Sequence, residues 1–368
     1  MEVGVDADFV SHGASLPRFL RPCESSQRSA THAGVPVHAV YTHKHPFGNA
    51  QVLWWPAGTR ASDSDVVPRT ILLFIPGNPG LVDFYVPFLN AIDRSVRADS
   101  TYSTSVTIFA HSHLGLSSYI RVGDQSSNSP FPETSSVALP AQIQAHVEFL
   151  DELLVAYGPP TRVLLVGHSI GCWFIQEILK ARAAALRVRP RVGAYLLFPT
   201  ISHIVRSPNG RKLSPFFRPP WPRVLANLSH LIKYVVPMPQ RILAVLLRPT
   251  WPANQLQVLH DFLRAPGAIY ASLTMAHDEM ETVREPDADF LREFAHDLWF
   301  YYAGEDDWVG EQQRAVVLRV LRGTPAESHM VHGRAGVPHA FCINHSAEVA
   351  SQCVEWMRTG GFLGDPRA

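Results

Sequence analysis

The sequence predicts one α/β domain built on a mostly parallel sheet that is covered by helices. From residue 70 onward, short unbroken apolar runs alternate with amphipathic helical segments, and two strand-like pieces divided by turn residues precede them. Strands buried on both faces read as continuous apolar runs because neither face alternates with solvent. Between the fourth and fifth of these runs lie about 100 residues. That is far more than one crossover helix needs, so an insertion interrupts the domain.

Residues 1–35 contain Ser and Arg with weak periodicity and are expected to form a loosely ordered lead-in. VHAVYT (37–42) and AQVLWW (50–55) follow as short strands separated by Pro and Gly turns. The parallel strands are then ILLFI (71–75), VTIFA (106–110), RVLLV (162–166), VGAYLLF (192–198) and LWFYYAG (298–304). A helix over 140–157 has an apolar face of Ile143, Val147, Leu150, Leu154 and Tyr157, at steps of three and four residues. ESHMVHG (327–333) reads as a last strand and NHSAEVASQCVEWM as a final helix. The core is thus expected at 36–200 and 265–368, with 201–264 as an inserted helical cap. Within it, 207–250 is aromatic and aliphatic, broken by Pro, and holds no Asp or Glu. Arg218, Arg223, Lys233, Arg241 and Arg248 punctuate this stretch. A cap packed on the core accounts for the apolar residues. A surface dipping into a lipid interface, with basic side chains reaching toward head groups, also accounts for the charges. The Pro- and Ser-containing segment 121–137 receives no role.

Of the 368 residues, 46% are hydrophobic and 17% charged, which suits a folded chain with a sizeable core. Basic and acidic residues are equal at 32 each, and no basic tract interleaved with aromatics occurs, so a nucleic-acid partner is not expected. Cys23, Cys172, Cys342 and Cys353 form no CxxC pair and are expected as buried thiols. MEVGVDADFV lacks the basic flank and apolar run of a signal peptide, and no apolar stretch reaches the ~18–20 residues of a spanning helix. A non-secreted protein without a conventional transmembrane helix is expected.

GHSIG (167–171), directly after RVLLV and before CWFIQEILKAR, is a strand–Gly-x-Ser-x-Gly–helix pattern. That pattern places Ser169 on a strained turn with its hydroxyl projecting from the sheet, while Gly167 and Gly171 let strand and helix pass closely. A serine nucleophile then needs oxyanion donors, an acid and a histidine, the last two following it in the chain. The Ile170 N–H and an amide of FIPGNPG (74–80), at Asn78, are the expected donors. The loop PTISHIVRS after VGAYLLF has no acid, whereas GEDDWVG (304–310) has Glu305, Asp306 and Asp307. Asp306 and Asp307 lead, and spacing from the strand does not separate them. Of His329, His332, His339 and His345, His339 lies in the loop GVPHAF after the last strand, from which it can reach Ser169. His43/His45 and His111/His113 lack a third ligand at telling spacing and are expected as surface or turn histidines. GNPG lacks the lysine of a phosphate-binding loop, and neither a metal nor a cofactor is expected.

FIPGNPGLVDFYVPFL (74–89), GHSIG, SPNGRKLSPFF (207–217), YYAGEDDWV (301–309) and PHAF (338–341) together resemble the lipid-droplet-associated serine hydrolases, across about residues 70–357. The resemblance implies an α/β-hydrolase fold and an esterase of neutral lipids such as sterol esters or triacylglycerols. It also implies residence on lipid droplets and the endoplasmic reticulum, and droplet or membrane contact through 207–250. It carries Ser169, Asp306 and His339 over as a triad. The family's acid stands two residues before a Trp, which selects Asp306, while Ala303 stands where the family has Gly. The same residues would also suit acyl transfer or thioester hydrolysis, or a weakly active droplet-surface protein of mainly structural role.

Overall fold

The computed structural model describes residues 16–23, 35–57, 68–99, 105–117, 131–235 and 251–364. Nine strands form one sheet in the order β1-β2-β3-β5-β4-β6-β7-β8-β9. These are β1 (Leu20–Pro22), β2 (Val37–Thr42), β3 (Asn49–Trp55), β4 (Thr70–Ile75), β5 (Val106–His111), β6 (Arg162–His168), β7 (Val192–Leu197), β8 (Leu298–Tyr302) and β9 (Met330–His332). β1, β2 and β3 pair antiparallel, β3 joins β5 antiparallel, and every later pairing is parallel. β1 falls inside the expected lead-in and corrects it: Leu20 is buried and Arg21 pairs with Val40. A short strand with one core leucine leaves too little periodicity to be read from sequence.

Alternation along the strands sorts the core into two layers. Ile71, Leu73, Ile75, Val163 and Leu165 face one side, packing on Phe149, Leu150 and Leu153 of α3 (Leu139–Tyr157) and on Ile175 and Ile178 of α4 (Ile170–Arg187). Leu72, Phe74, Leu164 and Val166 face the other. There they meet Phe88, Leu89 and Ile92 of α1 (Val86–Ala98), and Val349, Cys353 and Met357 of a C-terminal helix, α11 (Ser346–Thr359). Each fully buried Leu, Ile or Phe contributes roughly 1.5–3 kcal/mol by leaving water, which is why both strand faces must be apolar. All four cysteines are free and buried.

Between β7 and β8 the described chain runs through α5 (Pro208–Phe217), α6 (Trp221–Val235), α7 (Ala253–Leu263), α8 (Pro266–Thr282) and α9 (Ala288–Glu293). Residues 236–250 of the expected lipid-contacting stretch and 121–130 of the unassigned segment lie outside the described residues; Thr134–Val137 forms α2. α10 (Glu311–Leu321) connects β8 to β9. β5 lies on one side of β4 and β6 on the other, so the crossover direction reverses at β4. In such sheets the crevice beyond the strand carboxyl ends at the reversal is where ligands bind, and the loops after β4 and β6 meet there.

Candidate active site

Ser169 is the residue between β6 and α4, at φ 55° and ψ −122°. A positive φ is strained for a side chain with a Cβ, and the close fit around the turn holds it. A Cβ on Gly171 would lie 2.3 Å from Ile75 O and 2.7 Å from Pro76 O, and one on Gly167 would lie 2.8 Å from Gly171 O. Both glycines are required because helix and strand backbones touch.

His339 Nε2 stands 2.9 Å from Ser169 Oγ, and its Nδ1 stands 2.8 Å from Asp306 Oδ2. The Asp306 side chain is 3% exposed, and its Oδ1 accepts from the N–H groups of Trp308 (2.7 Å) and Val309 (2.9 Å). Burial alone would raise this carboxyl. The nearby His339 charge, the His339 hydrogen bond and the two backbone donors together bring it below the ordinary carboxylate value. An ionised Asp306 places the neutral-imidazole proton on Nδ1 and leaves Nε2 free to accept from the serine hydroxyl. Chemically, the line can take a proton from Ser169 and stabilise the imidazolium that forms.

The alternatives lie elsewhere. Asp307 and Glu305 are exposed, and Asp307 contributes its carbonyl to the Asn209 N–H at the start of α5. His329 stacks on Trp299 at 4.6 Å, and its Nδ1 meets Leu298 O. His332 is exposed and lies against Tyr302, while His345 lies near Glu348.

The loop after β4 comes against the elbow, since a Cβ on Gly77 would lie 2.9 Å from that of Ser169. The side-chain Nδ2 of Asn78 donates to Ser272 O (2.9 Å) and to Glu279 Oε1 (2.8 Å). Among the described residues the Asn78 backbone N–H has no hydrogen-bond partner. Ile170 opens α4, so its N–H is one of the helix-terminal donors that no earlier carbonyl can satisfy.

Sequence reasoning missed His168 and Tyr85. The Gly77 N–H donates to Tyr85 Oη (3.1 Å), and because neutral His168 needs its one ring proton on Nε2 to face a carbonyl, the Tyr85 hydroxyl gives its own proton to His168 Nδ1 (2.7 Å). His168 Nε2–H then donates to His339 O (2.9 Å). One imidazole therefore ties the loop after β4 to the loop carrying His339. Burial, with the nearby His339 charge, pushes His168 down to about 3, which keeps it neutral. Its signal was inside the elbow motif, in the residue before Ser169.

The surface reading of His43, His111 and His113 is overturned. They are buried, at 4%, 0% and 1% exposure, and only His45 is exposed. His43 Nδ1 meets Glu148 (3.2 Å) and its Nε2 meets His111 (3.0 Å). His111 Nδ1 meets His146 (3.0 Å), and His146 Nε2 meets His113 (2.9 Å). Burial pushes all four rings down, His113 to about 3. Neutral imidazoles can be both donor and acceptor, so these rings can hydrogen-bond to one another in an apolar setting, with His111 stacked 4.6 Å from Phe149. Among the described residues no group of three or more His, Cys, Asp or Glu side chains is placed to hold a metal ion.

The family model for the lipid-droplet associated hydrolases matches residues 68–342, a span holding the elbow, Asp306 and His339. The chain belongs to that family. The lipid droplet-associated hydrolase of Mus musculus is 28% identical over 303 residues, covering 79% of this chain and 85% of its own. The Rattus norvegicus protein of the same name is 29% identical over 300 residues, with the same coverage. Among solved structures, an epoxide hydrolase of Vigna radiata superposes with a TM-score of 0.53 at 14% identity, over 89% of this chain and all of its own. A likeness at that identity speaks for the fold alone, which is that of the α/β-hydrolases.

Proposed function

We propose that this family member is a serine ester hydrolase acting through an acyl-enzyme on Ser169, with His339 as general base and then acid, and Asp306 as its orienting partner. The observation that carries the reading is the unbroken line Asp306–His339–Ser169, which ends on a serine at φ 55°. His339 takes the hydroxyl proton as Oγ attacks the acyl carbonyl, then returns it to the leaving alcohol. Water, activated by the same ring, releases the acid. The N–H groups of Asn78 and Ile170 would receive the oxyanion; removal of one such donor typically costs ~3 kcal/mol of barrier stabilisation.

The substrate class proposed is neutral lipid ester, of the sterol ester or acylglycerol type, met at a lipid-droplet surface. Two things support it: the relatives are named for lipid droplets, and α5 and α6 carry an exposed apolar strip. Leu213, Phe216, Trp221, Val224 and Leu228 are each 37–50% exposed, and Phe216 and Trp221 sit edge to face at 6.0 Å. Trp221, Val224 and Leu228 recur at helical spacing, so they share one face. Arg211, Lys212, Arg218 and Arg223 are exposed around them. Apolar residues rimmed by cations suit an interfacial contact with phospholipid. Among the described residues no helix is long and apolar enough to cross a membrane. The same strip would hold the protein to the cytoplasmic face of the endoplasmic reticulum.

The test is labelling with a fluorophosphonate, followed by turnover of p-nitrophenyl butyrate, triacylglycerol and sterol ester emulsions. Labelling at Ser169 that vanishes in Ser169→Ala, with hydrolysis of at least one emulsion, is expected. A folded wild-type protein that is neither labelled nor active on any ester would overturn the reading. Activity confined to water-soluble esters would overturn the lipid assignment only.

A further inference from the structure

α8 carries an acid that the ester-hydrolase reading leaves unused. Glu279 is buried, at 4% exposure, and its Oε1 accepts 2.8 Å from Asn78 Nδ2. The other Nδ2 hydrogen goes to Ser272 O, about two turns earlier on the same helix. Both side-chain donors of Asn78 are therefore occupied by α8, and the side chain cannot itself reach an oxyanion. What it fixes is its own backbone, whose N–H is the proposed donor. The margin for movement is small because at Gly77, the preceding residue, even an added Cβ would lie 2.9 Å from the Ser169 Cβ and from His168 Nδ1.

We propose that Glu279 is a positioning residue for the oxyanion-binding loop, holding Asn78 by a neutral carboxyl so that its backbone N–H faces the carbonyl attacked by Ser169; this rests on the ester-hydrolase reading. The carboxyl must be neutral because an anion here would oppose the charge that develops on the substrate oxygen. Burial is the main cause that raises Glu279, to about 8, with Asp278 adding to it and the Asn78 hydrogen bond opposing it. Asp278 is the charged group acting on it. Among the described residues α2, α3, α5, α6, α7 and the turn at 204–206, all packed on α8, add none. The sign follows: below about pH 8 the acid is protonated and the loop is seated beside no charge. Above it the carboxylate forms and the rate falls.

Wild type, Glu279→Ala, Glu279→Gln, Asn78→Ala and the Asn78→Ala/Glu279→Ala double variant are compared as full-length proteins on p-nitrophenyl butyrate and for phosphonate labelling at Ser169. Glu279→Ala should lower kcat about tenfold with KM nearly unchanged, less than the ~10²–10³ lost when an oxyanion donor is deleted outright. Asn78→Ala should match it, and the double variant should lose no more, since the two act as one unit. Glu279→Gln presents an amide oxygen to Asn78 and should restore most of the rate at pH 7. It should also lack the wild-type decline above about pH 8. Should Glu279→Ala not fold, the alkaline limb of Glu279→Gln decides alone, and an unchanged limb overturns the inference. An active wild type with a stable Glu279→Ala of equal kcat overturns this inference and leaves the hydrolase reading standing. A wild type inert at Ser169 overturns both.

Discussion

Asp306→Asn isolates what the carboxylate does for His339, because the structure dictates how the amide must sit. Asp306 Oδ1 accepts two backbone N–H groups, from Trp308 and Val309, and an amide NH2 cannot replace it there without donor facing donor. The Asn carbonyl therefore stays on those two donors and its Nδ2 turns to His339 Nδ1, the position of Oδ2 at 2.8 Å. Facing a donor, Nδ1 becomes the acceptor, and the ring proton moves to Nε2. That nitrogen then presents N–H to Ser169 Oγ and cannot accept its proton. Geometry is preserved while the base is lost, and such a tautomer reversal lowers kcat by roughly 10⁴, or about 5.4 kcal/mol of barrier. Turnover of p-nitrophenyl butyrate and the rate of phosphonate labelling measure it, with a thermal melt checking that the fold is intact. Asp307→Asn, on an exposed residue, should stay within twofold of wild type. An Asp306→Asn enzyme within tenfold of wild type, or an Asp307→Asn enzyme that is the more damaged, would refute the reasoning.

Gly171→Ala drives a methyl into Ile75 O and Pro76 O at under 3 Å, and backbone atoms cannot rotate away; a stability loss of about 1–3 kcal/mol by urea titration, with most activity gone, is expected. A Tm equal to wild type would contradict the close-approach account. The buried histidines make stability acid-sensitive. Their folded pKa values lie below the unfolded 6.5, so the unfolded chain binds more protons as pH falls. Stability is complete above 6.5 and is lost below it, by up to about 1.4 kcal/mol per pH unit for each such ring. Urea midpoints between pH 7 and 5 should show it, and a flat profile would mean these rings charge without unfolding. Replacing Phe216, Trp221 and Leu228 together by Asp should leave p-nitrophenyl butyrate turnover intact while abolishing flotation with a triacylglycerol emulsion. Unchanged flotation would place the lipid contact elsewhere.

The order of strands and helices was legible because it depends on local periodicity. VHAVYT coincides with β2, and the amphipathic segment at 140–157 falls within α3. β1 was not legible, since three residues with one core leucine carry no period. Of the candidate residues, loop position singles out His339 among the four late histidines, while spacing alone leaves Asp306 and Asp307 equal. They are separated by which carboxylate turns inward, and the two N–H groups at Trp308 and Val309 decide that. A lone imidazole in sequence reads as solvated, which fits the exposed His45; for His111 and His113, His146 from α3 supplies the partner that makes burial possible, and His43 pairs with Glu148 and His111.

GHSIG between an apolar strand and a helix determined by itself that Ser169 lies on a turn, since glycine on either side and the flanking periods are local requirements. Only the tertiary structure decided what surrounds that serine. His339 reaches it across 170 residues of chain and Asp306 reaches His339 across 33. His168 bridges two loops, and Glu279 holds Asn78 across 201. The reason is physical: backbone preferences act over a few residues, whereas hydrogen-bond partners and desolvation are set by what the sheet brings within 3 Å.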